Sequence, residues 1–219
     1  MIRDCHWDTR KKILEHSDLK GKRVLEIGCG AGRISQMYAN DVRQIVGIEP
    51  EFENVCSAAH TISSASFICG SGMNLPFSSD NFDVVLFTLS LHHHPDSLAA
   101  LAEAQRVMAH DGLIIIIEPT TESEIQKFCK VFEDEDHRLI AVEKALLQCP
   151  LQRTSKEVFA THWEFANFAD AANYAFTYYN HPPDVEKRKY LQDFLGPKAH
   201  DTPIRMTDTL QLTCLKLHR

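Results

Sequence analysis

A chain of 219 residues with 44% hydrophobic and 24% charged side chains has the composition of a folded domain long enough to bury a sizeable core, which excludes a disordered or fibrous protein. Thirty acidic against 23 basic residues give a net charge of -7, and no basic run exceeds three residues, so the chain is not built to coat a nucleic acid. No apolar run approaches a membrane span, the N-terminus "MIRDCHWDTRKK" is charged rather than leader-like, and the seven cysteines contain no C-x-x-C pair, so the expectation is a cytoplasmic protein with reduced thiols.

In chain order, residues 9–19 read as a short amphipathic helix, and "KGKRVLEI" as a turn and a buried strand. After the turn "GCGAG", "RISQMYAN" is helical and "RQIVGIE" is a second strand; a helix from Glu51 to about His60 and a third strand "ASFIC" follow. "FDVVLFTLS" is a fourth strand, "DSLAALAEAQRVMA" a helix with Asp96 or Ser97 as N-cap, and "GLIIIIE" a fifth strand. Alternating strands and helices, with the fourth and fifth strands apolar on both faces, predict an α/β fold with a parallel sheet covered by helices on both sides.

From Thr121 the pattern changes. Thr121 and Glu124 have the spacing of a capping box, and Ile125, Phe128, Phe132, Leu139, Val142 and Leu146 recur at helical spacing. The acidic run Glu133–Asp136 interrupts them and is read as an exposed face, within one helix or at a break between two. Beyond Pro150, "VFATHWEF" alternates as a strand, "FADAANYAFTYY" is helical and "TLQLTCLKL" alternates again, a pattern suited to the edge of the same sheet. With no composition break and no Gly/Ser linker, one domain over residues 1–219 is expected.

The turn "VLEIGCGAGRISQ" narrows the chemistry. A dinucleotide turn has the spacing G-x-G-x-x-G, but here the third position is Arg33 and the third glycine comes early, giving Gly28, Gly30 and Gly32. Glu26 at the mouth of the turn would repel a pyrophosphate by about 1–4 kcal/mol per charge pair at about 4 Å. A ligand bearing a sulfonium and an ammonium would be attracted instead, which points to S-adenosylmethionine. Glu49, at the end of the second strand and 19 residues after Gly30, is placed to accept both hydroxyls of a ribose.

The segments "VLEIGCGAGRIS", "GIEPE", "SGMNLPFSSDNFDVVLFTLSLHHHPD" and "EAQRVMAHDGLIIIIEP" resemble the successive motifs of class I S-adenosylmethionine-dependent methyltransferases, and within them the small-molecule group that includes the ubiquinone/menaquinone C-methyltransferases. The likeness covers about residues 20–120. It implies a Rossmann-like three-layer sandwich whose seven-stranded, mostly parallel sheet ends in an antiparallel strand. A cofactor core at 20–120 would then be followed by a helical insertion at 121–150 and C-terminal strands and helix at 151–219. By the same resemblance Gly28, Gly30 and Gly32 pass the methionine and ribose portion, Glu26 meets the ammonium side and Glu49 holds the ribose. Cys29, Pro50, Gly72, Thr88 and Leu89 complete the set expected around the cofactor. The family commonly has an acidic residue in the loop after the third strand, bonding the adenine; Ser71 stands there, so Ser71, Met73 and backbone groups are expected to hold the base.

"LHHHPD" follows the fourth strand, at the sheet edge where open α/β folds place ligands. In an extended segment only His92 and His94 could share a metal, and no further ligand stands at suggestive spacing, so no metal is expected. The resemblance makes this segment a wall of the methyl-transfer cleft, with His92 and His93 as candidates for general base toward an oxygen acceptor. Acceptor recognition is expected from His6, Trp7 and Arg10, from the stretch after Thr121 and from the late aromatics Trp163 to Tyr179, although the spacing of these aromatics favours core packing. A small organic acceptor is the expectation. A methyltransferase-like binding subunit and an NAD(P)-dependent oxidoreductase are the competing readings.

Overall fold

The computed structural model describes residues 1–218. In chain order the elements are α1 (Asp8–His16), β1 (Arg23–Ile27), α2 (Ser35–Tyr38), β2 (Gln44–Glu49), α3 (Phe52–Thr61), β3 (Ser66–Cys69), β4 (Phe82–Thr88), α4 (Ser97–Val107), β5 (Met108–Pro119), α5 (Glu124–Cys129), α6 (Asp136–Gln148), β6 (Gln152–Phe165), α7 (Phe168–Tyr178), α8 (Val185–Leu195) and β7 (Ile204–Lys216). One seven-stranded sheet has the order β3-β2-β1-β4-β5-β7-β6. β1 pairs in parallel with both β2 and β4, β2 with β3 and β4 with β5, while β5, β7 and β6 are antiparallel. The Rossmann-like α/β fold expected from the sequence is the fold observed.

The chain packs as two compact units. The larger comprises Thr9–Glu118, Arg138–Val158 and the residues from Gln211 onward. On one face of its sheet, Leu25, Ile27, Val46, Ile48, Val85, Phe87, Ile114 and Ile116 share a core with Ala100, Leu101 and Ala104 of α4 and Val142 and Leu146 of α6. The two-residue period of a strand sends the intervening residues to the opposite face, among them Val24, Glu26, Val84, Leu86 and Thr88. Glu26 is thus an ionisable group in the middle of a sheet layer, opposite Gly47 on β2 and Leu86 on β4. Asp96 caps α4 by accepting from Ala99 N–H at 3.0 Å. α2 is much shorter than the eight residues the sequence suggested: Arg10 Nε donates to the Met37 carbonyl at 2.7 Å, and Arg10 also pairs with Asp41. Arg10 is therefore engaged inside this unit.

The smaller unit comprises Met1–Asp8, Pro119–His137 and Phe159–Leu210. Its core joins Ile125, Phe128 and Cys129 of α5, Ala171, Ala172 and Ala175 of α7 and Leu191 and Leu195 of α8 to Trp163, Phe165, Ile204 and Met206. The helices after Pro119 start and stop differently from the sequence reading. Ser123, not Thr121, is the N-cap of α5, since its hydroxyl accepts from Gln126 N–H while donating to the buried carboxylate of Asp208 at 2.7 Å. Of the two arrangements left open for the acidic run, the chain takes the break, between Cys129 and Asp136. The run is not uniformly exposed, because Glu135 is only 7% accessible. Trp163, Phe165 and Phe176 are core residues, whereas Tyr178 keeps 52% of its surface in solvent. Among the described residues no helix is long and apolar enough to cross a membrane.

Candidate active site

The strand order reverses between β1 and β4, and open α/β sheets offer a crevice at the carboxyl ends of the strands that flank such a reversal. The glycine turn leaves β1 there. Gly28, Gly30 and Gly32 all have positive φ (71°, 53° and 81°), a region that L side chains enter only under strain. Their surroundings separate them. A Cβ on Gly28 would stand 2.5 Å from Ser90 Cβ, and one on Gly32 would stand 2.9 Å from Ile62 Cδ1; at Gly30 nothing lies within 4 Å. The first and third glycines make room for the protein itself, and the second opens on free space. Cys29 between them is buried at 6% accessibility, and burial pushes its thiol pKa well up, so it packs rather than reacts.

The two carboxylates beside the turn have different tasks. Glu26 is 1% accessible; Oε2 accepts from Ser35 Oγ at 2.5 Å and Tyr38 OH at 2.7 Å, and Oε1 from Thr88 Oγ1 at 2.6 Å. Burial raises its pKa and the three hydroxyls pull it back down. A carboxylate offers about four acceptor positions, so about one remains for a ligand. Glu26→Ala would strand three buried hydroxyls and is expected to lower stability by about 3–5 kcal/mol in urea unfolding, and Glu26→Gln by less. Glu49, at the end of β2, accepts from Gly30 N–H at 3.0 Å and, more weakly, from Glu51 N–H at 3.3 Å and Asn54 Nδ2 at 3.4 Å. Pro50 follows it at the surface.

In the loop after β3, the exposed Ser71 Oγ accepts from Met73 N–H at 3.2 Å, so the hydroxyl supports its own turn. A Cβ on the buried Gly72 would stand 2.5 Å from Ile27 Cγ2 and collide with the His94 ring. The end of this loop is fastened to α4: Leu75 N–H donates to Glu103 at 2.8 Å, and Arg106 donates to the carbonyls of Leu75 and Phe77 at 3.0 and 2.7 Å.

Beyond β4 the backbone turns sharply. Leu89 has φ +57°, an uncommon and strained value for a branched residue, and its N–H donates to Ile117 O at 2.7 Å. The histidines are not extended: Leu91–His93 form a 3-10 turn, which puts the rings of His92 and His93 against each other with centroids 3.9 Å apart. The pairing of His92 with His94 inferred from an extended chain is corrected accordingly. His94 turns back to Ser90 O, Nδ1 to oxygen 3.0 Å, and packs edge-on to Phe87. Desolvation, together with the adjacent His92, pushes the His93 pKa down to about 4, so His93 is neutral at physiological pH.

The residue that sequence reasoning missed is Glu118, near the end of β5 and 4% accessible. Oε1 accepts from the N–H groups of Leu91 at 2.7 Å and Ser90 at 3.2 Å, and Oε2 bonds His92 Nδ1. A carboxylate only accepts, so Nδ1 carries the proton and Nε2 is the basic nitrogen. The visible signal was a lone acid ending the apolar run "LIIIIE" at the carboxyl edge of the sheet. Of the residues singled out from the sequence, Glu26 and Thr88 are joined by a hydrogen bond, as are Gly30 and Glu49; the Cys29 thiol donates to the Gly30 carbonyl at 3.6 Å, and Ser71 and Met73 pair with each other.

This sheet order, with its glycine turn after β1 and acidic residue ending β2, is the class I S-adenosylmethionine-dependent methyltransferase fold, whose cofactor is S-adenosylmethionine. The chain resembles that superfamily: residues 25–116 match the family model described as a methyltransferase domain. Over 144 residues it is 30% identical to a fatty-acid O-methyltransferase of Mycolicibacterium smegmatis, covering 64% of this chain and 47% of that protein. It is 28% identical over 127 residues to a phthiotriol/phenolphthiotriol dimycocerosates methyltransferase of Mycobacterium ulcerans, covering 56% of this chain and 47% of the relative. The chain spans about half the length of the curated relatives it matches. Among solved structures, the YcgJ protein of Bacillus subtilis superposes with TM-score 0.69 at 18% identity, covering 98% of this chain and 100% of that one. The [4+2]-cyclase SpnF superposes with TM-score 0.67 at 19% identity, covering 97% and 82%. At such identities the likeness is one of fold.

Proposed function

We propose that the chain transfers the methyl group of S-adenosylmethionine to an oxygen of a small organic acceptor. The observation that carries the reading is the glycine turn: two of its glycines are walled in by side chains while Gly30 opens on free space, with the Glu49 carboxylate bonded to its N–H. Backbone at Gly30 can be approached closely by a ligand, and Glu49 can exchange its weak bonds to Glu51 and Asn54 for two ribose hydroxyls. Glu26, through its remaining acceptor position, gives the ammonium side a negative pole in a low-dielectric layer. Ser71, Gly72 and Met73 would flank the base, with Pro50, Thr88 and Leu89 closing the edges.

When bound, the cofactor supplies a methyl group on a positively charged sulfur, which is already activated for displacement. The chain's own contribution is to align the acceptor and to take a proton. A hydroxyl acceptor must lose its proton as the new bond forms, and His92, oriented through Nδ1 by Glu118, is the residue assigned to receive it on Nε2. His93, held neutral beside it, adds no competing positive charge.

Calorimetry with S-adenosylmethionine and S-adenosylhomocysteine is expected to show one saturable site that Glu49→Ala weakens by about 10–100-fold, the loss of a charge-assisted pair of hydrogen bonds. Absence of binding to the wild-type chain would sink the reading, and protection from thermal unfolding by NAD(P)H alone would favour an oxidoreductase. One second reading, a cofactor-holding subunit without methyl transfer, is favoured by the loop after β3, where Ser71 stands in place of an acid and its hydroxyl accepts from Met73 N–H. Conversion of cofactor to S-adenosylhomocysteine with any acceptor excludes it.

A further inference from the structure

Between β3 and β4, residues 70–81 run without helix or strand, yet the stretch is tied down at both ends. At its start Gly70 N–H donates to the Glu49 carbonyl at 3.0 Å, so it leaves from the strand end that carries the Glu49 carboxylate. Its first turn closes on itself, with Asn74 N–H donating to the Ser71 carbonyl and Met73 N–H to the Ser71 hydroxyl, both at 3.2 Å. Beyond that turn the partners are Glu103 and Arg106, three residues apart on α4. The Glu103 carboxylate accepts from Leu75 N–H at 2.8 Å, and the Arg106 guanidinium donates to the Leu75 and Phe77 carbonyls at 3.0 and 2.7 Å. The two side chains also bond each other fork to fork, Nε to Oε1 and Nη2 to Oε2, at 2.7 Å each. That guanidinium holds Glu103 below the usual carboxylate range, so both groups are charged at neutral pH.

An ion pair between neighbours on one helix turn adds little to a fold. This pair acts outside its own helix. Four of the five guanidinium N–H donors are engaged, and two of the four reach backbone carbonyls of the loop. Only a flat fork can meet a carboxylate along one edge and two carbonyls along the others. The platform behind it is firm, since Ala100, Leu101 and Ala104 of α4 lie in the core of the larger unit. Leu75 is buried in the same core, whereas Ser71, Asn74 and Pro76 are exposed. The exposed stretch therefore takes its order from the hydrogen bonds at its two ends.

We propose that Arg106, oriented by Glu103, is a positioning residue for the cofactor: by fixing the backbone at Leu75 and Phe77 it sets the place of residues 71–73. This rests on the methyl-transfer reading, in which Ser71, Gly72 and Met73 flank the base. A base edge is told apart by donors and acceptors that stand in fixed places, so a slack loop loses discrimination together with affinity.

S-adenosylhomocysteine and its 6-oxo analogue S-inosylhomocysteine, which differ only at the base edge, are titrated by calorimetry into the whole chain, with circular dichroism melts to check folding. The wild-type chain is expected to prefer the amino form by at least about tenfold, because an oxo group leaves the acceptor for that amino group unpaired. In Arg106→Gln, affinity for S-adenosylhomocysteine is expected to fall by about tenfold or more and the preference to below about threefold. Arg106→Lys, which keeps the charge but not the fork, should lie between. A role confined to stability would lower the melting temperature and leave the ratio of the two affinities alone. Wild-type affinity and preference in Arg106→Gln, an equal loss for both ligands, or no preference in the wild-type chain overturns the proposal. Should Arg106→Gln fail to fold, Arg106→Lys decides, and an undiminished preference there is equally fatal. Absence of S-adenosylhomocysteine binding to the wild-type chain removes the methyl-transfer reading and this inference with it; binding with an undiminished preference in the variants removes this inference alone.

Discussion

Gly30→Val is expected to abolish detectable binding of S-adenosylhomocysteine while the chain stays folded. A Cβ there meets no atom within 4 Å beyond the two neighbouring residues, so the main folding cost is that of a β-branched residue at φ +53°, about 1–3 kcal/mol against a typical domain stability of about 5–15 kcal/mol. The space it fills is the space the ligand backbone approach requires, so affinity should drop by about 100-fold or more. Gly28→Val is the matched contrast: its Cβ would already stand 2.5 Å from Ser90 Cβ, and loss of the native fold is expected. Circular dichroism melts and calorimetry on the two variants separate the roles. Wild-type affinity in a folded Gly30→Val chain would be incompatible with a cofactor lying over the turn.

Glu118→Gln is the second change with a large expected effect. The amide keeps the size of the carboxylate, and its oxygen still accepts from Ser90 and Leu91, so the fold should hold to within about 1–2 kcal/mol. Its NH2 group, however, faces His92 Nδ1 and donates, which moves the imidazole proton to Nε2 and removes the basic nitrogen. With a hydroxyl acceptor kcat is expected to fall about 10²–10⁴-fold with KM little changed. S-adenosylhomocysteine affinity, measured separately, should stay within about threefold, because Glu118 acts through the histidine. An unchanged kcat, or a parallel loss of cofactor binding, would leave Glu118 with a purely structural role. Glu118→Leu strands two backbone N–H groups and the ring nitrogen, and should cost about 3 kcal/mol or more in stability.

Much of this layout could be read from the chain itself, because the information is local. β1, β4 and β5 are apolar runs bounded by polar turns, and the G-x-G-x-G spacing with Glu26 beside it points away from a dinucleotide and toward a sulfonium cofactor. What stayed hidden depends on register and on contacts between distant residues. Glu118 meets His92 across 26 positions only because β4 and β5 lie side by side in parallel, and periodicity does not give that pairing. The 3-10 turn at Leu91–His93 overturned a geometric argument that was correct for an extended chain. Ser123 displaced Thr121 as the cap because Asp208, far along the sequence, holds its hydroxyl. The smaller unit is assembled from three separated stretches, and no shift in composition marks their edges. Arg106 gains its meaning only when the carbonyls of Leu75 and Phe77 close on it.

The carboxyl edge of the sheet is laced by its own acids. Thr88 on β4 is tied to Glu26 on β1, the Ser90 hydroxyl to the Ile27 carbonyl at 2.6 Å, and the amides of Ser90 and Leu91 to Glu118 on β5. Loops that end strands are ordinarily the softest part of a domain, and a ligand settling on them loses affinity to the ordering it imposes. Here the ordering is done during folding, before any ligand arrives. A guest at this edge meets a stiff, preformed floor, and its affinity reports contact chemistry with little deduction for freezing the host.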